Sequence, residues 1–170
     1  MAFSKIIAES MDLTDAYNFT GTLQQNGAGI GGANTPAFLA YANADQLSIP
    51  SNTYTKLTNY GVEVFDTDNK FSSSRFTPGV VGKFFIFGTA YLQHYGGQRS
   101  WVAVYKNGSR YSVSADMPDS AEGFPIQVSA VVDMANTTDY VEIYVRQQGT
   151  GTNAYSSGST VTFGGYKLIT

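Results

Sequence analysis

Cysteine is absent from the 170 residues, which excludes a disulfide scaffold and any cysteine-held zinc. Histidine occurs once, at His94, so no histidine cluster can assemble within one chain. Charge is also scarce. Only 14% of the residues are Asp, Glu, Lys or Arg, and thirteen acids against ten bases leave a net charge of -3. A chain of that balance has no general attraction for phosphate backbones or anionic lipid, so neither nucleic acid nor a membrane surface is an expected partner. No apolar run approaches the length of a membrane span, and no membrane insertion is expected. The first ten residues carry one base and too short an apolar stretch for a signal peptide. Amphipathic helical periodicity and a Gly-X-Y repeat are missing too, which removes helix bundles and collagen-like stalks.

What the chain does have is 42% hydrophobic residues, 18 Gly, 12 Tyr and 11 Phe. That is enough apolar surface for a core, in the turn-rich and aromatic style of a β protein. The length fits one domain with a short appendage. Residues 26–36, Asn-Gly-Ala-Gly-Ile-Gly-Gly-Ala-Asn-Thr-Pro, are dense in glycine and end in proline, which reads as a linker. Residues 1–35 are therefore expected to form an arm with its linker, and residues 36–170 the domain. In the arm, Phe3, Ile6, Ile7, Met11, Leu13, Phe19 and Leu23 are too many to leave in water and too few for a core. They form a candidate docking surface for neighbouring proteins, with Tyr17–Leu23 alternating like an edge strand.

Beyond the linker, short alternating runs follow one another between turn signals. Strands are expected over 37–42, 54–57, 62–65, 83–93, 101–106, 110–115, 125–133, 140–146 and 161–169. Asn107-Gly108 is the hairpin dipeptide that tolerates positive φ at both central positions. In Tyr140-Val-Glu-Ile-Tyr-Val-Arg146, alternation sends Glu142 and Tyr144 to one face and Val141, Ile143 and Val145 to the other. The aromatics Phe84, Phe85 and Phe87 exceed what one inward face takes in strict alternation, so a second buried surface is expected. Phe84, Phe85, Phe87, Tyr91, Tyr144 and Phe163 are its candidates, as core or subunit interface.

No enzyme constellation survives inspection. Gly27, Gly29 and Gly32 have the spacing of a dinucleotide fingerprint, but Pro36 and more β pattern follow where a helix is required. No Gly-x-Ser-x-Gly elbow presents a nucleophile. Asp66, Asp68 and Asn69 could offer oxygens to calcium, yet the stretch lacks the glycine and distal glutamate of an EF-hand and fits an Asx-type turn. The chain is read as a non-enzyme without a cofactor.

An ordered series from Pro36 to Thr170 resembles the globular head of complement component 1q, which shares the tumour-necrosis-factor jelly roll. The residues that carry it are Ala37-Phe-Leu-Ala40 with Gln46, then Tyr54-Thr-Lys56 with Val62 and Phe65. Next come Phe71 and Phe76-Thr-Pro-Gly-Val-Val-Gly82-Lys-Phe84, Lys106-Asn-Gly108, Asp139-Tyr-Val-Glu142 and Phe163-Gly-Gly-Tyr-Lys-Leu-Ile169. Ile86 stands where the family usually has Phe, and Gly88 where it has an aromatic. The resemblance implies an all-β jelly-roll sandwich of about ten strands that assembles as a homotrimer. The segment Ser4–Leu23 is similar to the leaders of tailed-bacteriophage structural proteins, which implies a virion protein assembled in the host cytoplasm without a secretion signal.

The expected function is a virion structural module on a tail fibre or appendage, used for host-surface attachment. A capsid decoration or head-fibre protein and a bacterial complement-1q-like module unrelated to phage are the alternatives. Candidate contacts to a host glycan or protein are His94, Tyr95, Gln98, Arg99 and Trp101 around a glycine turn, and Tyr155 in a hydroxyl-rich loop. Trp101 is equally read as core.

Overall fold

The computed structural model describes residues 24–25, 28–29, 33–92, 98–116, 124–148, 152–155 and 160–169. The chain divides into two compact units, Met1–Gly32 and Ala33–Thr170. In the first, β1 (Gln24–Gln25) pairs antiparallel with β2 (Ala28–Gly29). The glycine-dense stretch read as a linker therefore contains a strand. The missed signal is Asn26-Gly27, the same dipeptide that marks the later hairpin. The apolar arm positions Phe3, Ile6, Ile7, Met11, Leu13, Phe19 and Leu23, and the expected strand over 17–23, lie outside the described residues.

The second unit is a two-sheet β-sandwich, with no helix among the described residues. Its strands are β3 (Ala37–Ala42), β4 (Gln46–Ile49), β5 (Thr55–Lys56), β6 (Tyr60–Asp66), β7 (Phe71–Ser72), β8 (Arg75–Phe76), β9 (Gly82–Leu92), β10 (Ser100–Lys106), β11 (Ser109–Asp116), β12 (Phe124–Met134), β13 (Val141–Gln147), β14 (Thr152–Tyr155) and β15 (Thr162–Lys167). The six-stranded sheet runs β11-β10-β13, and the far edge of β13 is shared by β8 and β5; β7 closes a hairpin with β8. In the seven-stranded sheet β9 has β12 along one edge, with β15 and β14 sharing the other. From there β15 leads to β3 and β6, and β14 to β4.

Alternation makes the core. Along β9, Phe84, Ile86, Gly88, Ala90 and Leu92 are buried, while Phe85, Phe87, Thr89 and Tyr91 face the other way and are half-buried. Ile126, Val128, Val132 and Met134 of β12 and Val141, Ile143 and Val145 of β13 meet them. Phe38 organises one end of the core. Its ring stacks on Phe76 and Phe71 at centroid separations of 4.3 and 4.8 Å, and Phe163 meets it edge-on at 4.9 Å. These geometries add to the apolar burial.

Of the two departures from the resemblance, Gly88 has a packing reason. At Gly88 an added Cβ would stand 2.6 Å from Ile143 Cδ1 of the opposite sheet, and at Gly165 one would stand 2.6 Å from Ile86 Cδ1. Ile143 fills from the facing sheet the space that an aromatic at position 88 would occupy.

Two tight hairpins set the loops. In β10–β11 the turn is Asn107-Gly108 at φ 50° and 76°, as the dipeptide predicts. In β7–β8 the turn is Ser73-Ser74 at φ 51° and 53°, with no glycine at all. The twist of a two-residue hairpin requires this conformation, and L-residues adopt it at a cost of about 1 kcal/mol each. The pairing Phe71↔Phe76 and Ser72↔Arg75 sends both phenyl rings into the core and Ser72 and Arg75 to the surface.

Candidate functional site

The outward faces of the two sheets differ in chemistry. On the seven-stranded sheet, register places Val131, Phe85, Tyr166 and Ala37 in one row and Ser129, Phe87, Gly164, Leu39 and Phe65 in the next. Tyr41 and Val62 pair beyond them. Val131, Phe65, Val62 and Tyr166 are exposed, and Phe85 and Phe87 are half-buried with rings 6.1 Å apart. The first two rows form an apolar face, and Gln127, Thr89 and Thr162 make the third row polar between β12 and Tyr41. Of the six positions proposed as core or interface, Phe84 and Phe163 are core, Phe85 and Phe87 lie on this face, and Tyr91 is half-buried against the core. Tyr144 belongs to neither, because it shares the outward side of β13 with Glu142.

On the six-stranded sheet the outward residues are aromatic and cationic. Trp101 lies opposite Arg146, and Ala103 opposite Tyr144. The Arg146 guanidinium sits 4.5 Å from the Trp101 ring and 5.8 Å from that of Tyr54, and the Arg99 guanidinium lies 6.0 Å from Trp101. Tyr105 stacks on Tyr144 at 3.9 Å and approaches Tyr54 at 5.8 Å. Arg110 Nη1 donates to the Tyr54 hydroxyl at 3.1 Å. Arg146 Nη2 donates to Asn52 Oδ1 at 3.2 Å, while its buried Nε has no acceptor. Such ring faces and fixed guanidinium groups suit stacking on sugars. Burial raises the Tyr105 and Tyr144 hydroxyls above their ordinary value, as does the charge of Glu142 beside Tyr144, so both stay neutral.

The strip ends at a buried ion cluster. Between β5 and β8 a gap opens beside β13, and Glu142 fills it from below, 2% exposed. Lys56 Nζ donates to Glu142 Oε1 at 2.7 Å and Arg75 Nε at 2.8 Å; the Tyr144 hydroxyl reaches Oε2 at 3.3 Å. Burial alone would raise the Glu142 pKa, but the bonds from Lys56 and Arg75 outweigh it and hold the carboxyl below its ordinary value. Arg75 also lies 3.9 Å over the Tyr140 ring. Above the cluster is a cleft of about 500 Å³ lined by Lys56, Lys70, Ser72, Ser73, Arg75 and Thr77.

Of the contact residues named from sequence, Gln98 is half-buried, Arg99 exposed and Trp101 half-buried on the outward face. Trp101 is not core, since Val102 and Val104 take the inward positions beside it. His94 and Tyr95 lie outside the described residues. Tyr155 ends β14, where its backbone pairs with Tyr91 in the seven-stranded sheet. Sequence reasoning missed Tyr54, Tyr105, Arg110 and Arg146. Alternation from Trp101 and from Tyr144 could have found Tyr105 and Arg146, but the two sets meet only through the β10–β13 register.

At the calcium candidate, Asp66 Oδ2 accepts from Phe71 N at 2.6 Å and Oδ1 from Asp68 N at 3.4 Å, while Asp68 Oδ2 takes the Thr67 hydroxyl at 2.7 Å. The carboxylates cap their own turn. Among the described residues no group of three His, Cys, Asp or Glu converges as a metal site would require.

Neither a protein-family model nor a curated protein sequence matches the chain. Solved structures do match in fold. The globular domain of the zebrafish complement 1qA protein aligns with a TM-score of 0.54 and 15% identity, over 79% of this chain and 98% of that one. The Eiger TNF of S. frugiperda aligns at 0.58 and 11%, over 78% and 92%. The PRD1 vertex protein P5 aligns at 0.52 and 16%, over 81% and all of that chain. The fold is a complement-1q/TNF-like jelly roll.

Proposed function

We propose that this chain is a non-enzymatic bacteriophage virion protein, a homotrimeric jelly-roll module displayed on a tail fibre or similar appendage for host-surface attachment. The observation that carries the reading is the contrast between the two outward faces. An apolar sheet face of this extent is uncommon on a lone soluble domain and suits burial against copies of the same chain. The aromatic–guanidinium strip on the other sheet would then face outward, where host saccharides or proteins are met. The arm, residues 1–35, carries docking to neighbouring virion proteins in this reading. A fold shared with complement-1q, TNF and vertex proteins supports a binding or structural module over an enzyme.

The likeness to a vertex protein favours one second reading, a capsid decoration or head-fibre protein without a receptor. Gold labelling of intact particles separates the two. Label on the tail and loss of host adsorption in Trp101→Ala particles support attachment. Label on the head with normal adsorption by those particles supports decoration. A stable monomer at micromolar concentration by light scattering would overturn both.

A further inference from the structure

We propose that the cleft between the Ser73-Ser74 hairpin and β5 is an oxyanion-binding site, which on the attachment reading holds the carboxylate or sulfate of an acidic surface saccharide. In a chain of net charge -3, this cleft gathers Lys56, Lys70 and Arg75 against a single buried carboxylate, Glu142. The arrangement leaves positive charge unspent. Glu142 takes only the Nε edge of Arg75, and no other side chain among the described residues takes its two Nη groups. Lys70 forms no ion pair among the described residues, and its ammonium lies beside Gly79, 3.4 Å from where a Cβ would be.

The cations are held in place before any ligand arrives. Arg75 is fixed by Glu142 on one edge and by the Tyr140 ring on its face. Lys56 is fixed by Glu142 and by the Ser73 carbonyl at 2.9 Å. That carbonyl is presented by a turn whose two serines both sit at positive φ. A guanidinium edge with two ammonium groups and the hydroxyl-bearing Ser72, Ser73 and Thr77 matches an oxyanion, which accepts several charge-assisted bonds at once. Glu142 offsets one of the three positive charges, and those of Lys70 and the free edge of Arg75 remain for the cleft. Through Tyr144 the cleft also adjoins the aromatic strip, so a sugar stacked on the strip could place an acidic substituent here.

The test titrates the full assembled protein, followed by backbone amide shifts, with four probes: inorganic sulfate, a neutral oligosaccharide, and the same oligosaccharide bearing either a carboxylate or a sulfate. Sulfate is expected to shift the amides of Ser72, Arg75 and Thr77 saturably, with affinity falling as salt rises. Each acidic oligosaccharide should bind at least fivefold tighter than the neutral one, and Lys70→Gln should remove that advantage. Whichever acidic probe binds tighter identifies the group. Because Lys70 has no ion-pair partner, its substitution leaves the fold intact, and Arg75→Lys provides a second, charge-conserving variant expected to lose affinity. No saturable shift with sulfate, or an acidic advantage that survives Lys70→Gln, overturns the proposal. Binding of sulfate with no saccharide bound at all upholds the oxyanion site and defeats the attachment reading.

Discussion

Phe87 lies with its ring across Gly164 of the adjacent strand, where an added Cβ would stand 2.9 and 3.0 Å from the two Cε atoms. The glycine lets the ring lie flat on the sheet and extend the apolar face. In Gly164→Val the ring must lift away, and being only half-buried it can do so without unfolding the domain. The expected result is weakened self-association at nearly unchanged thermal stability, measured by light scattering beside calorimetry. An unaltered oligomeric state, also in Phe87→Ser, would place assembly on another surface.

Gly88 faces inward, so the same change there has a different outcome. A Cβ at this position meets Ile143 Cδ1 and Cγ1 at 2.6 and 2.8 Å in the middle of the sandwich. Overpacking of this kind costs about 1–3 kcal/mol, so Gly88→Ala should lower the denaturant midpoint. The double change Gly88→Ala with Ile143→Val should recover part of the loss.

Asn107 has two duties at its turn. It adopts positive φ, and its side chain donates to Asp139 Oδ1 at 2.8 Å while accepting from Tyr140 N at 3.0 Å. Asn107→Ala loses both duties, whereas Gly108→Ala bears only the conformational cost of about 1 kcal/mol. Equilibrium unfolding should rank Asn107→Ala as the more damaging of the two.

Acid should destabilise the fold through two carboxylates. Bonds from Lys106 and Asn107 hold Asp139 well below its ordinary value, and Glu142 is lowered by Lys56 and Arg75 against its burial. In the unfolded chain both return to ordinary values near pH 4, roughly. Their contribution is therefore complete above that range and is lost as pH falls through the lower folded values, because the unfolded state binds more protons there. The unfolding midpoint should stay level from about pH 7 to 5 and drop below about pH 4. Asp139→Asn should start lower and fall less.

Trp101→Ala should leave assembly intact, since the ring lies on the six-stranded sheet and the apolar face on the other. Saccharide or host-cell binding by the assembled protein should weaken about tenfold or more, equivalent to at least roughly 1.4 kcal/mol. Loss of assembly in this variant would instead make the ring a packing element.

The nine strands expected beyond the linker are present, and Ala37–Ala42 coincides residue for residue. Alternation there is strong because one face meets Phe76 and Phe163. The strands that were missed, β1, β2, β4, β7, β8 and β14, have two to four residues, too few to establish a period. The places of β4, β8 and β14 in their sheets are decided by partners distant in sequence. The site was partly legible for the same reason. Trp101 and Arg99 declare themselves as neighbours in sequence, but Arg146 reaches Trp101, and Tyr54 reaches Arg146, only through sheet register. Alternation put Glu142 on the face of its strand opposite Val141, Ile143 and Val145. Its burial arises because β5 and β8 stop on either side of it and bring Lys56 and Arg75 together above, which no local pattern records.

The alternation of β10 and β13 has a practical consequence. Val102, Val104, Ile143 and Val145 close the interior from one side of these strands, so Trp101 and Arg146 can be exchanged as a pair while these four side chains keep their packing. The sandwich can thus serve as a chassis whose outward surface is rewritten independently of its folding, provided that Glu142 and its two cations are retained.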